Sequence, residues 1–213
     1  MRLLLHNPNS NEQLTRNLGR AIAPLLHSNE SLQLSTAEQG PAFIGSDEAI
    51  DAARAALVDQ LDARSANCDA IVLGCFGDLG ITDLKRSVAK PILSLWDACA
   101  AAAVEGGKRY GIVTTSAFWC ARLARDIRDR GLSSSIPTVR AISGSPSASP
   151  DKLGASISRV LDELAAESDL DAAVLGGALL AALRPVPAGP IPMFDTLAAA
   201  VRLCRVCLEK PHC

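Results

Sequence analysis

The chain has 213 residues, of which 48% are hydrophobic and 21% charged, and its formal net charge is -2 at pH 7. This composition is typical of a globular protein with a sizeable core, in one large domain or two small ones. The balanced charge and the 3% aromatic content argue against a nucleic-acid surface, and no apolar run is long enough to span a membrane. We therefore expect neither a nucleic-acid nor a membrane partner.

Short apolar runs alternate with helix-like segments along the chain. Strands are predicted over residues 3–5, 32–35, 70–73, 92–95, 110–113, 138–141, 172–175 and 191–193. Helices are predicted over residues 12–26, 47–66, 84–88, 98–105, 121–130, 150–167, 179–183 and 197–209, with a Ser/Pro-rich loop over 143–150. This alternation predicts an α/β fold with parallel sheets flanked by helices on both faces.

One segment occurs twice in the chain. Residues 69–75 read D-A-I-V-L-G-C and residues 171–177 read D-A-A-V-L-G-G, so the two copies end in Cys75 and Gly177 respectively. Each copy predicts a buried strand that runs into a tight loop. Internal similarity of this kind fixes the architecture. It predicts two pseudo-symmetric domains, residues 1–97 plus 198–213 and residues 98–197, with an active-site cleft between them.

The same repeat includes an aromatic-Asp pair before an Ala-rich helix. Trp96-Asp97 matches Phe194-Asp195, and we interpret the two aspartates first as helix-start residues. We also expect a homo-oligomer, because the Ala-rich run 98–103 can pack closely against a partner.

The residues that follow the predicted strands are the candidate binding residues, since ligands of parallel α/β sheets bind beyond the carboxyl ends of the strands. They are Asn9, Ser10, Phe76, Gly77, Asp78, Thr114, Thr115 and Ala178. Several of them also have a structural interpretation. Ser10 or Asn11 can cap the helix that starts at Glu12, and Asp78 can accept hydrogen bonds from loop N–H groups.

Cys75 is the candidate catalytic residue. A thiol on a strand-to-loop turn near a helix start can have a lowered pKa and act as a thiolate, although a free cysteine is also often a small buried hydrophobe. A Cys-His protease is disfavoured, because among the three histidines only His6 lies at a strand end. We interpret His6 as a hydrogen-bonding residue.

The seven cysteines are odd in number and irregularly spaced, and the apolar start 1–5 is too short for a signal peptide. We therefore expect reduced thiols in a cytoplasmic protein. The Cys204-x-x-Cys207 pair lies in a predicted helix without a second pair to complete a zinc site, so we expect packing residues and no metal.

Several short motifs together resemble one known family. They are Asn7-Pro8-Asn9-Ser10, Gly40-Pro41-Ala42, Gly74-Cys75-Phe76-Gly77-Asp78, Val113-Thr114-Thr115 and Val174-Leu175-Gly176. In this order they resemble the hydantoin racemase branch of the aspartate/glutamate racemase superfamily. The resemblance implies an isomerase with two α/β domains and a site between them, and a reaction without cofactor. One cysteine thiolate removes the proton α to a carbonyl, and a second cysteine returns a proton on the opposite face. Backbone N–H groups and small polar side chains hold a carboxylate or hydantoin ring.

The chain departs from this pattern at Gly177, where the resemblance implies the second catalytic cysteine. Glycine cannot carry a proton, so Cys75 is the only matched acid/base, and water or Cys120 would have to replace the missing group. Several readings stay open: a racemase-family enzyme acting on hydantoins, allantoin or amino acids; a one-cysteine, decarboxylase-like lyase; and a catalytically weak small-molecule-binding relative. An engineered substitution at residue 177 is a further explanation.

Overall fold

The computed structural model describes residues 1–144, 149–167 and 169–210. The strands are β1 (Arg2–Asn7), β2 (Ser31–Thr36), β3 (Ala70–Leu73), β4 (Ile92–Ser94), β5 (Tyr110–Thr114), β6 (Thr138–Ala141), β7 (Ala172–Gly176) and β8 (Met193–Phe194). The helices are α1 (Glu12–Ile22), α2 (Asp47–Arg64), α3 (Ile81–Ser87), α4 (Leu95–Glu105), α5 (Ala117–Asp129), α6 (Pro150–Glu167), α7 (Ala178–Ala181) and α8 (Thr196–Glu209). A 3-10 turn, Ala23–Leu25, follows α1. The predicted loop 143–150 lies partly, and Cys213 wholly, outside the described residues.

The described strands form two four-stranded sheets, both entirely parallel. Their strand orders are β2-β1-β3-β4 and β6-β5-β7-β8. The central strands β3, β5 and β7 are buried along their whole length, whereas the edge strands β2 and β6 are partly exposed. Central strands covered on both faces require continuous apolar runs, which is why these segments were recognisable. The predicted α/β class is confirmed.

The chain divides into two compact units. The first contains Met1–Ala98 and Leu197–Cys213, and the second contains Cys99–Thr196. Within the first unit, Arg205 of α8 donates to both carboxylate oxygens of Glu30, at 3.0 and 2.6 Å, and to the carbonyl oxygen of Leu25 at 2.9 Å. These hydrogen bonds hold α8 against the segment that precedes β2. Within the second unit, α6 packs its apolar face against β5 and β7.

The two units repeat the same backbone contacts at matched positions. The N–H of Arg2 donates to the Asp69 carboxylate at 2.7 Å, and that of Arg109 donates to Asp171 at the same distance. At the other end of the repeated strand, the N–H of Cys75 donates to the Leu73 carbonyl oxygen at 2.8 Å, and that of Gly177 to Leu175 at 3.2 Å. Residues 75 and 177 therefore occupy equivalent tight turns within their own units.

Element boundaries differ from the sequence predictions mainly at helix starts. Helix α5 begins at Ala117 rather than residue 121, because the Ser116 hydroxyl caps it by accepting from the Trp119 N–H at 3.3 Å. Strand β8 begins two residues later and ends one residue later than predicted. No helix within the described ranges is long and apolar enough to cross a membrane.

One cysteine prediction is wrong. Cys68, Cys75, Cys99, Cys120 and Cys204 are free thiols, but Cys207 is disulfide-bonded. Sequence spacing does not show which thiols folding brings within bonding distance, so the expectation of seven reduced cysteines missed this bond.

Candidate active site

The loop after β1 is organised by the buried side chain of Asn7. Its Nδ2 lies 2.9 Å from Asn9 Oδ1, 3.1 Å from the Asn11 carbonyl oxygen and 3.0 Å from Thr15 Oγ1. Its Oδ1 accepts from the Asn9 N–H at 3.3 Å. Asn7 thereby holds the loop against the first turn of α1. Asn7 is the last residue of β1, and its burial makes it a support for the loop.

Asn9 and Ser10, two predicted binding residues, present polar groups from this loop. Asn9 is 7% exposed, and its Oδ1 accepts from Asn7 and from the Asn11 N–H at 3.0 Å. Its Nδ2 donates to nothing within the part of the chain that is described, so two donor hydrogens remain for a ligand. Ser10 is exposed, and its N–H donates to the Pro41 carbonyl oxygen at 3.1 Å. The helix cap is Asn11, which leaves the Ser10 hydroxyl available.

The loop after β3 places Cys75 in a closed backbone turn. Its carbonyl oxygen accepts from the Leu95 N–H at 3.1 Å. Phe76 and Gly77, which follow, are buried, and the Phe76 ring packs edge-on against Trp96 with centroids 5.6 Å apart. Phe76 therefore supports the loop through packing. Asp78 is half-buried, and its Oδ1 accepts from the N–H groups of Gly80 and Ile81, at 2.8 and 3.1 Å.

The structure reverses the expected direction of the Cys75 pKa. The side chain is buried, with the residue 6% exposed, and burial raises the pKa of the Cys75 thiol to about 12. The nearby Asp78 carboxylate raises the Cys75 pKa further, and the Phe76 N–H lowers it by a smaller amount. The prediction of a low-pKa thiol is therefore wrong for the ligand-free protein, in which Cys75 is protonated at neutral pH.

In the second unit, Thr114 and Thr115 end and follow β5 as predicted. They are 1% and 5% exposed. Neither hydroxyl group makes a hydrogen bond to another described residue. Neither hydroxyl oxygen belongs to the set of buried side-chain atoms that lack a hydrogen-bond partner. The Thr114 carbonyl oxygen accepts from the Ile142 N–H at 2.8 Å, which fixes the end of the strand. Two hydroxyls are thus held on a rigid strand end with capacity for a ligand.

Gly177 and Ala178 follow β7 in the same unit. The φ of Gly177 is 163°, which is extended backbone open to any residue. A Cβ at this position would lie 3.4 Å from Thr115 Cγ2 and 3.9 Å from Leu180 Cγ. Neither contact excludes a side chain. The backbone therefore does not require glycine at residue 177. Ala178 is the first residue of α7 and is half-buried.

Cys120 does not share the strand-end position of these residues. It lies in the first turn of α5, is partly exposed, and its sulfur lies 3.8 Å from the carbonyl oxygen of Val139. Val139 pairs with Ile112, two residues before Thr114. At about 3.3 Å per strand residue, this contact lies roughly 7 Å below the strand end. The contact directs Cys120 toward the edge strand β6, which argues against it as the second proton donor.

His6 is fully buried and contacts the first unit's polar interior. Its Nδ1 lies 2.9 Å from Ser35 Oγ. The Arg64 guanidinium donates to Ser35 and to the carbonyl oxygen of Thr36. Burial, with the positive charge of Arg64, lowers the pKa of His6 to about 4. His6 is neutral at pH 7, and its hydrogen bond agrees with the expected structural role.

Comparison with known proteins decides the family. The model of the Asp/Glu/Hydantoin racemase family matches residues 3–204. The chain belongs to the Asp/Glu/Hydantoin racemase family. The resemblance inferred from the motifs is therefore confirmed.

Relatives and solved structures of this family support the same assignment. An uncharacterised protein of Schizosaccharomyces pombe is 31% identical over 217 residues, covering 94% of this chain and 90% of that protein. The hydantoin racemase of Rhizobium meliloti is 25% identical over 215 residues, covering 98% and 89%. The allantoin racemase of Pseudomonas fluorescens has the same fold, with a TM-score of 0.88, 21% identity and coverage of 98% and 91%.

Proposed function

We propose that this racemase-family protein is a cofactor-independent enzyme that moves a proton at a carbon α to a carbonyl, with Cys75 as its acid/base. The observation that carries the proposal is the single thiol at the strand-end turn after β3, with its equivalent turn after β7 occupied by Gly177. The substrate class is a hydantoin, allantoin or an amino-acid-like molecule. The relatives named hydantoin racemase and allantoin racemase support this choice.

The proposed reaction assigns each group one task. Cys75 is protonated in the ligand-free protein, so it first gives its proton to water. The thiolate then accepts the α-proton, which leaves an enolate-like carbanion on the substrate. The resulting thiol exchanges its proton with water and returns one to the same face. Asn9, Ser10, Thr114, Thr115 and neighbouring backbone N–H groups stabilise the negative oxygen and hold the ring or carboxylate. Gly177 has no side chain that could donate a proton to the opposite face of the substrate. The single thiol of Cys75 therefore exchanges the α-proton with solvent while the configuration of the substrate is retained.

The test is a pair of substitutions at residue 177. Gly177→Cys restores a thiol at the position where the family resemblance implies one, and the extended backbone accommodates it without strain. We expect a large gain in racemisation of a single-enantiomer hydantoin, followed by circular dichroism, while the matched control Gly177→Ala gives no gain. If a folded Gly177→Cys protein racemises the hydantoin no faster than the Gly177→Ala control, the mechanism with two cysteines on opposite faces does not apply to this chain.

The raised pKa of Cys75 favours a second candidate, a one-cysteine lyase. A thiol that is protonated at rest is ready to donate. After a carboxylate leaves as CO2, the carbanion takes the Cys75 proton, and the thiolate recovers one from water. CO2 release from a 2-substituted malonate, lost in Cys75→Ala, would support this lyase. Absence of both CO2 release and proton exchange would favour the third reading, a ligand-binding relative.

We also propose a homo-oligomer in the cytoplasm, with domain boundaries at residues 97 and 198. Size-exclusion chromatography with light scattering tests the assembly. A monomer at all concentrations would contradict it.

A further inference from the structure

Strand β2 is a long edge of the first sheet, and no described strand lies on its outer side. It has six residues, S-L-Q-L-S-T, with no charge and no proline. The other edge strands are shorter: β4 and β8 have three and two residues, and β6 has four and carries Arg140. Short length, charged residues and proline are means by which proteins keep an edge from pairing. Strand β2 has none of the three.

The backbone of β2 presents unused hydrogen-bonding groups at this edge. The N–H of Ala37, directly after the strand, donates to the Asn7 carbonyl oxygen of β1 at 2.9 Å. Because successive residues of a strand point their backbone groups to opposite sides, the odd-numbered residues of β2 face β1 and the even-numbered residues face outward. The N–H and C=O groups of Leu32 and Leu34 therefore point outward, and they bond to nothing within the described ranges. These four groups can bond a further strand.

The two faces of the edge differ in chemistry. Leu34 is 42% exposed, and a Cβ on Gly19 of α1 would lie 2.7 Å from its Cδ1, so Leu34 packs over α1. Gln33 is exposed on the opposite face of the sheet. On that face Ser35 accepts a hydrogen bond from Arg64 of α2. The α1 side of the edge is therefore apolar, and the α2 side is polar and uncharged along the strand.

Helix α2 carries a row of alanines next to the same edge. Ala52, Ala55 and Ala56 line a groove of about 470 Å³ between α2 and the segment 38–40. Arg64 lines the same groove and donates to the carbonyl oxygen of the last residue of β2 at 2.8 Å. The spacing of three and four residues places the alanines on one helix face, where their small side chains allow a second helix to approach closely. The free edge and this helix face form one continuous surface.

The edge is complementary to itself in one antiparallel register. With a two-fold axis beside Gln33, Leu32 of each copy lies opposite Leu34 of the other, and Gln33 lies opposite its own counterpart. All the outward N–H and C=O groups of the two leucines are then paired. The leucines of both copies meet on one face, the two glutamine amides meet on the other, and no like charges lie opposite each other.

We propose that β2 is the surface at which two copies of this chain join, antiparallel and two-fold symmetric, into one continuous sheet with four strands from each copy. The alanine faces of the two α2 helices then lie on the same side of this sheet, across the axis from each other. The self-complementary register favours a second copy over an unrelated strand. The inference rests on the proposed homo-oligomer and is independent of the proposed reaction.

The first experiment is cross-linking through Gln33→Cys. In a directly opposite antiparallel pair without hydrogen bonds, the Cα atoms are about 4.5 Å apart, within the roughly 4.4–6.8 Å that a disulfide spans. Oxidised glutathione should therefore convert Gln33→Cys to a covalent dimer on a non-reducing gel. Wild type controls for the native thiols, and Gln13→Cys, at an exposed glutamine of α1, controls for random collision. Cross-linking of Gln33→Cys no faster than Gln13→Cys would overturn the interface.

The second experiment places charges at the axis. Gln33→Lys and Gln33→Glu each bring two like charges together, so each should raise the dissociation constant of the assembly about 10- to 100-fold in sedimentation equilibrium. An equal mixture of the two variants should associate again, because the charges across the axis are then opposite. An assembly that both variants leave unchanged would overturn this interface and keep the homo-oligomer. A wild-type monomer at all concentrations would remove both and leave the edge to a strand of another protein.

Discussion

The protonated state of Cys75 predicts an unusually slow reaction with alkylating agents. Iodoacetamide reacts with the thiolate. At about pH 8, a pKa of about 12 leaves roughly one Cys75 in ten thousand ionised, against roughly one in ten for a thiol at 9.0. The expected rate is therefore about 1000-fold below that of an ordinary thiol, before the physical protection of a buried side chain is considered.

The assay is a timed iodoacetamide pulse followed by digestion and mass spectrometry of each cysteine peptide. Cys120 is the internal reference, because it is the less buried thiol, and unfolded protein provides the fully reactive control. Asp78→Asn removes the second cause of the raised Cys75 pKa and should accelerate Cys75 alkylation, by less than unfolding does. Two results together would refute this reasoning: Cys75 is alkylated faster than Cys120 in the native protein, and the pH dependence of the Cys75 alkylation rate has its midpoint below about pH 8.

Three further predictions concern buried polar groups. His6 has a pKa of about 4 in the folded state against 6.5 unfolded, so its contribution to stability is complete above pH 6.5 and is lost as the pH falls toward 4. This loss in the free energy of unfolding amounts to about 3 kcal/mol. Urea unfolding between these pH values should show no such loss in His6→Gln, whereas the control His27→Gln, at an exposed residue, should still show it. Arg205→Ala should lower the free energy of unfolding by about 1.5–3 kcal/mol, because Glu30 loses its charged partner and keeps only the His27 N–H; an unchanged thermal midpoint would contradict this. Asn7→Ala should destabilise the protein by about 1–3 kcal/mol and weaken hydantoin binding, since Asn7 holds the loop of Asn9, which we propose as a ligand-binding residue; unchanged binding by calorimetry would exclude that support.

The fold could be predicted largely from sequence because buried parallel strands are apolar throughout. The segments 70–73 and 138–141 were predicted with the bounds that the structure has. The sequence prediction starts helix α5 four residues too late, although Trp119 continues the buried face of Leu123 and Ile127 and Ser116 is a visible capping residue. Local patterns thus identify an element more readily than its first residue.

The sequence could place the candidate residues at strand ends, but it could not predict the pKa of Cys75. The repeat located Cys75 and Gly177 at equivalent turns, since a strand followed by a glycine-containing loop is a local signal. The Cys75 pKa depends on how far tertiary packing removes the thiol from water, which loop position does not show.

The most direct test of Cys75 as the acid/base is exchange of the α-proton of single-enantiomer 5-isobutylhydantoin in D2O, followed by proton NMR. Wild type and Cys120→Ser should exchange the proton above the uncatalysed rate with configuration retained, and Cys75→Ser should fall to that background. Equal exchange by wild type and Cys75→Ser would contradict the assignment of Cys75.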